Sequence, residues 1–345
     1  MAEADAPHPH DPGGPLGPRV IRVDPWLGLP SRAPASALVI GNFDGVHRGH
    51  AAVLAQMGAL AGERGLAPAV LTFEPHPAGV LGRPEPPRLT TVARKAALFG
   101  RHGVVEIIVA RFSSAFAETP PEGFLNDLVF GALAARVVVV GDNFRFGKAR
   151  AGNFAFLETS ARSRGLEAYA SVLATDAEGP LSSTRIRGLV AAGSVQSATE
   201  LLGRPHALSG VVSRGAQRGR TIGFPTANLA EVPELLPANG VYAVSVDLLE
   251  APDGAPIRAL GHGVMNVGTR PTVSAGSPER HVEVHLHDAS LDLYDRPLRV
   301  HVRERVRDER KFESFEALRE QIVKDSAAAR ALTSAIPVPE RGGFD

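Results

Sequence analysis

Hydrophobic and polar positions change rhythm once along this chain, near residue 203. From Ser36 to about Leu202, short apolar runs alternate with stretches of helical period, the pattern of parallel strands joined by helices. Strands are predicted at Ala37–Ile40, Ala69–Phe73, Val104–Val109, Val137–Val140 and Glu167–Leu173. Helices are predicted near Arg48–Arg64, Thr91–His102, Glu122–Ala134, Asn153–Arg164 and Ser183–Ala192. Beyond Gly203 the apolar runs become short, β-rich and separated by turn residues: Leu208–Ser213, Gly240–Asp247, Ala259–Val267, His281–His287 and Leu298–Val302. Helical period returns only at Ser314–Ala331, which predicts a small antiparallel barrel with a C-terminal helix. The expected layout is a disordered tail over 1–19, an α/β domain over 20–202, a β-barrel domain over 203–332 and a flexible tail over 333–345.

Composition narrows the classes. At 345 residues two domains are expected. The 37 basic and 37 acidic residues balance, which argues against a nucleic acid or a membrane surface as partner. Cysteine is absent, so disulfides, thiolate zinc sites and iron–sulfur clusters are excluded. No apolar run approaches the ~20 residues of a membrane span, and the Pro/Gly/Ala/His-rich start lacks the apolar core of a signal peptide. The expected location is the cytoplasm. Oligomerisation is compatible with the sequence but is not specified by it.

Candidate chemistry concentrates at the ends of the predicted strands, where open α/β sheets bind ligands. GNFDGVHRGH (Gly41–His50) follows the first strand and opens a helix. A helix N-terminus offers free N–H groups and positive dipole to a phosphate. His47 and His50, three apart, share a helix face and can donate to phosphate oxygens; Gly49 is expected to let the backbone approach the ligand. No Gly-Lys-Ser/Thr follows, so a P-loop is excluded. TFEPHP (Thr72–Pro77) and GDNFRFGK (Gly141–Lys148) follow later strands, and in the latter Asn143 can read polar groups while Phe144 and Phe146 can line an aromatic ligand's pocket. SSTRIR (Ser182–Arg187) adds hydroxyls and guanidiniums at a helix start.

The second half carries its own cluster. In GVVSRGAQRGRTIGFPTANL (Gly210–Leu229), Gly215, Gly219 and Gly223 free a backbone to wrap phosphates, with Arg214, Arg218 and Arg220 supplying charge. Thr226 and Asn228, two apart on an extended segment after Pro225, present hard oxygen ligands on one face, of the kind Mg2+ accepts beside substrate phosphates. In HVEVHLHD, Val282, Val284 and Leu286 point one way and His281, Glu283, His285 and His287 the other. A polar outer face, a His/Glu metal site and a general base at Glu283 all remain open on alternation alone.

GNFDGVHRGH resembles the HxGH nucleotidyltransferase superfamily, and in this version the bacterial flavin adenylyltransferase module; TFEPHP, GDNFRFG and SSTRIR match its later blocks in order. The resemblance implies a Rossmann-like domain that transfers AMP from ATP to FMN. His47 and His50 would be catalytic. Gly41, Asn42, Phe43, Asp44, Gly45, Asn143, Ser183, Thr184 and Arg187 would bind ATP and FMN, with Mg2+ accompanying the ATP. GFPTANL, NGVYAV, MNVGTRPT, VEVHLHD with DLYDRPLRV, and RDERKFESFEALREQIVKD resemble riboflavin kinase. That implies Glu283 as base, Thr226 and Asn228 as metal and phosphate ligands, and Gly215, Gly219, Gly223 and Pro225 around ATP. His206, where an aromatic is usual, and HLHDAS after the base depart from the pattern. An HxGH enzyme of other specificity and a non-catalytic flavin-binding regulator stand as alternatives.

Overall fold

The computed structural model describes residues 18–23, 34–172, 174–214, 224–251, 254–270, 279–289 and 291–344. Six parallel strands form the first sheet: β1 (Arg19–Val23), β2 (Ser36–Ile40), β3 (Ala67–Glu74), β4 (Glu106–Arg111), β5 (Ala135–Gly141) and β6 (Glu167–Ser171), in the order β1-β4-β3-β2-β5-β6. Their near-continuous Val/Ile/Leu/Ala runs follow from burial on both faces, and β2 is buried at every position. One face packs through Leu38, Ile40, Val138, Val140, Leu125 and Phe124; the other through Val39, Val70, Leu54, Met57 and Phe99.

Helix α1 (Arg48–Arg64) begins directly after the β2 loop and ends on Gly65, whose φ of 62° is the left-handed cap a Gly adopts without strain. Helix α2 (Val92–Arg101), a π-helical segment Phe124–Ala132 and α3 (Phe154–Arg162) connect the later strands, and α4 (Ser183–Ala191) and α5 (Val195–Leu202) complete this half. Strand order reverses between β2 and β5, so the loops leaving those two strands flank the crevice where such sheets bind ligands.

The second half is a closed antiparallel barrel: β9 (His206–Ser213), β10 (Ala227–Ala230), β11 (Gly240–Leu249), β12 (Pro256–Arg270), β13 (Glu279–Leu286) and β14 (Pro297–Asp308), in the order β10-β13-β12-β11-β14-β9. Its interior is filled by Leu208, Tyr242, Val244, Met265, Val284 and Val300, and α6 (Phe315–Thr333) lies against it. (A short hairpin of β7, Thr175–Asp176, and β8, Gly179–Pro180, stands apart from both sheets.)

Several elements differ from the sequence reading. Arg19, assigned by composition to the N-terminal tail, pairs with Glu106 at the start of β1. Strand β6 stops at Ser171, and Leu173 lies outside the described residues. The stretch expected as a flexible C-terminal tail carries defined contacts: the Phe344 N–H donates to Asp247 Oδ1 at 3.0 Å, and its ring lies 5.0 Å from that of His262. A charged strand partner and a buried carboxylate organise these segments, and neither leaves an apolar rhythm.

Candidate active sites

In the first site the β2 loop folds back on itself. Phe43, Gly45 and Val46 have positive φ of 49°, 86° and 39°, a conformation that a β-branched valine rarely adopts. Asp44 holds that turn. Its carboxylate, 8% exposed, accepts from the Leu89 and Thr90 N–H groups at 3.0–3.1 Å and from the Arg187 guanidinium at 2.5 Å. The Asp44 carbonyl accepts from Ser183 Oγ at 2.8 Å. Asp44, Ser183 and Arg187, expected at the ligand, are thus joined to each other: one carboxylate ties the β2 loop to the start of α4 and to the segment before α2. Arg187 Nε is also used, donating to the Pro87 carbonyl at 2.7 Å.

His47 caps α1. The His50 N–H donates to His47 Nδ1 at 3.3 Å, and the His47 N–H donates to His50 Nδ1 at 3.4 Å, a reciprocal capping box built from two imidazoles. Their rings stack 3.6 Å apart. Since each Nδ1 accepts, the proton of each neutral ring sits on Nε2. Burial pushes His47 down to about 4, helped by the Arg204 guanidinium and opposed by Asp44. Burial likewise takes His50 well below the ordinary histidine range, with His47, Lys95 and Arg204 adding to it. Both rings are therefore neutral Nε2–H donors at physiological pH.

Gly49 has a different use from the one expected. A Cβ there would stand 3.0 Å from His47 Cε1 and 3.3 Å from the Leu181 carbonyl, so glycine makes room for the His47 ring and for the loop leading into α4. Phe43 is buried and packs edge-on against His50 at 5.0 Å and Phe99 at 5.5 Å, supporting the imidazoles rather than facing a cleft. Gly41 ends β2 with its N–H on the Leu71 carbonyl.

A cleft beside this loop is lined by Asn42, Glu74, His76, Glu85, Arg88 and Lys95. Asn42 Nδ2 lies 3.4 Å from His76 Nε2, Arg88 pairs with Glu74 at 2.7 Å, and buried Lys95 donates to the Asn42 carbonyl at 3.1 Å. Burial lowers the Lys95 ammonium from its usual value, while Asp44 and Glu74 pull it back up. Sequence reasoning missed Lys95 because a lysine on an amphipathic helix ordinarily faces solvent. Asn143 and Thr184 are exposed. Phe144 stacks on Phe146 at 5.5 Å; Phe146 belongs to the core beside Phe124, and half-buried Phe144 packs against that core.

In the barrel, the pairing register makes the second site. β10 lies between β9 and β13, placing Asn228 directly opposite Glu283, and β12 places Asn266 opposite the same Glu283 from the other side. Directly opposed residues have Cβ atoms about 4.5–5.5 Å apart, so an amide and a carboxylate meet on one face while Val282 and Val284 fill the interior. Thr226 and Pro225 line a cleft of about 420 Å³, open to solvent, with Leu286, Asp292 and Tyr294 on its walls. The Pro225 carbonyl lies 2.9 Å from His285 Nδ1, and Phe224 stacks edge-on against His285 at 5.2 Å. Gly215, Gly219 and Gly223, with Arg218 and Arg220, lie outside the described residues; Arg214, at their edge, sits over the Tyr294 ring at 5.5 Å.

The divergent positions are accommodated locally. His206 is buried with Nε2 on the Leu235 carbonyl at 2.8 Å, and burial lowers it to about 4. In HLHDAS, Asp288 pairs with Arg330 of α6 at 2.5 Å. Among the described residues no group of three His, Asp or Glu side chains is set to hold a metal ion. Nor is any described helix long and apolar enough to cross a membrane.

Comparison with known proteins matches each half of the chain to a family of its own. A family described as FAD synthetase matches residues 29–185, and one described as riboflavin kinase matches residues 202–333. A bifunctional riboflavin kinase/FMN adenylyltransferase of Escherichia coli K12 is 39% identical over 304 residues, 87% of this chain and 94% of that protein. Its namesake in Bacillus subtilis is 35% identical over 298 residues, 85% and 91% of the two chains. A solved structure from Streptococcus pneumoniae, described as a macrolide-efflux protein, superposes with a TM-score of 0.78 at 30% identity, covering 90% of this chain and 98% of the other. With relatives matched over nearly their whole length, this chain belongs to the bifunctional riboflavin kinase/FMN adenylyltransferase family, phosphorylating riboflavin to FMN and adenylylating FMN to FAD.

Proposed function

We propose that the crevice at the carboxyl ends of β2 and β5 adenylylates FMN, and that the face of β10 and β13 phosphorylates riboflavin. The observation that carries the first assignment is the pair of stacked, neutral imidazoles at the start of α1, both with Nε2–H to offer. AMP transfer needs the triphosphate held and the departing pyrophosphate's charge met, not a covalent intermediate. His47 and His50 donate to the phosphate oxygens, the α1 N-terminus adds its dipole, and Lys95 gains a countercharge when a triphosphate enters. Asp44, Ser183 and Arg187 hold the loop that aims them. Asn143 and Thr184, exposed at the crevice rim, contact the nucleotide or flavin.

In the barrel, Glu283 accepts the proton from the ribityl hydroxyl as its oxygen attacks the γ-phosphate. Thr226 and Asn228 offer a hydroxyl and an amide oxygen, two residues apart, a neutral oxygen set suited to Mg2+ that reaches the site already carrying substrate phosphates. A metal held there would supply positive charge to the substrate phosphates. ATP and flavins as substrates, with no nucleic acid and no membrane as partner, fit a balanced 37/37 charge, and an ATP-consuming, cysteine-free enzyme fits the cytoplasm.

Incubating the purified chain with riboflavin, ATP and Mg2+ and resolving flavins by chromatography tests the reading. FMN should appear first and FAD follow. FMN without FAD would remove the first assignment, and no conversion of riboflavin would remove the second.

A further inference from the structure

We propose that Arg204, in the junction between the two halves, is a positioning residue for adenylyl transfer: its guanidinium clamps two carbonyls of the β2 loop and so fixes where His47 and His50 stand. The inference rests on the assignment of those histidines to the adenylyl site and adds a residue from outside the α/β domain's own motifs.

The geometry is specific. Arg204 follows Gly203, the left-handed cap of α5 at φ 75°, and precedes Pro205, where the chain turns into β9. Its side chain reaches back to donate to the Gly45 carbonyl at 2.5 Å, the Val46 carbonyl at 2.9 Å and the Leu202 carbonyl at 3.2 Å. Gly45 and Val46 are two of the positive-φ residues of the turn, and Val46 immediately precedes His47. A turn in that conformation persists only where its surroundings fix it. Asp44 holds the turn through Leu89, Thr90 and Arg187; Arg204 adds a second hold through the carbonyls of Gly45 and Val46. Arginine suits this because a planar fork can serve adjacent carbonyls at once, which a lysine ammonium does less well.

Arg204 also stands in the field of the two rings. The charged groups facing them are Asp44 on their own loop, Lys95 from α2 and Arg204 from the junction, with Arg187 of α4 acting through Asp44. Burial is the main reason the imidazoles stay uncharged, and a fixed cation there adds to it, so each offers one Nε2–H and keeps its Nδ1 acceptor for the cap. The junction into the barrel thereby contributes a part of the other domain's site.

The test compares Arg204→Lys and Arg204→Met with the unaltered chain, measuring both activities and the pH profile of adenylylation. Both variants should lose about 10- to 100-fold in kcat for FMN adenylylation, with KM for ATP and FMN changed by less than about threefold, since misplacement of a catalytic group acts on turnover. Riboflavin phosphorylation should stay within about twofold of the unaltered rate. The acid limb of the adenylylation profile should move toward neutral pH in Arg204→Met and stay in place in Arg204→Lys, because only the first removes the cation. Unchanged adenylylation kcat in both variants overturns the proposal. So does a parallel loss of both activities with an early melting transition, which would make Arg204 a structural tie between domains. His47→Ala and His50→Ala are run alongside: if they keep full adenylylation, the histidine assignment itself fails, whatever Arg204 does.

Discussion

The two sites are built in opposite ways. The proposed adenylyl site centres on one loop whose residues grip one another: two imidazoles cap each other, and a single carboxylate pins the turn to two other segments. The proposed kinase site is a matter of register, with Asn228, Glu283 and Asn266 brought side by side by strands from distant parts of the chain. A local site of the first kind fails when one internal bond is cut, because the others depend on it. A register site of the second kind keeps its frame when a side chain is removed and loses only that side chain's chemistry. Damage to the first should therefore touch stability and activity together; damage to the second should touch activity alone.

The largest effect that sharpens this contrast is expected at Glu283. Glu283→Ala should lower riboflavin phosphorylation by about 10²- to 10⁴-fold while leaving adenylylation of supplied FMN and the melting temperature near those of the parent. Steady-state assays of each half-reaction check it, and undiminished FMN formation would remove Glu283 from the mechanism. Next comes Asp44→Ala. It removes the partner of the half-buried Arg187 guanidinium and strands the Leu89 and Thr90 N–H groups, so stability should fall by about 2–4 kcal/mol in chemical denaturation, with adenylylation lost at the same time. An Asp44→Ala chain that keeps parental stability would break the comparison.

How far the sequence reached depends on the same difference. The HxGH decapeptide could be read because its strand, turn, cap and paired histidines lie within ten residues of each other. What could not be read was that Asp44, Ser183 and Arg187 satisfy each other, or that Gly49 serves the His47 ring, since both depend on contacts made across the fold. In the barrel, alternation put Glu283 on the outer face but left three uses open. Only the β10–β13 ladder, whose short strand β10 carries too little apolar rhythm to stand out, sets Asn228 against it. Lys95 and Arg204 escaped for a simpler reason: the sequence presents them as an ordinary helix-surface and an ordinary linker cation.

Gly49→Ala is a gentler probe of the tight loop. Its Cβ would press on the His47 ring at 3.0 Å, so adenylylation should drop by about tenfold or more while riboflavin phosphorylation is unaffected. Full activity in both half-reactions would mean the ring has room to move.

The smallest effect is a pH dependence of folding. His47, His206 and His287 are each lowered to about 4 by burial, so between that value and the ordinary 6.5 the unfolded chain binds more protons than the folded one. Stability must then fall as pH drops through this window, by about 1 kcal/mol per histidine between pH 7 and 5.5. Melting curves across that range should show the decline, and His206→Gln should flatten part of it. A flat profile would mean these rings are charged when buried.

The central claim is that two independent sites share one chain, and mixing two crippled chains tests it most directly. Glu283→Ala should make FAD from FMN but not FMN from riboflavin, and His50→Ala should make FMN but not FAD. Combined in one tube with riboflavin, ATP and Mg2+, they should restore FAD formation as FMN passes through solution from one protein to the other. If each variant loses both activities, and the mixture yields no FAD, the two sites are not separate and the account is wrong.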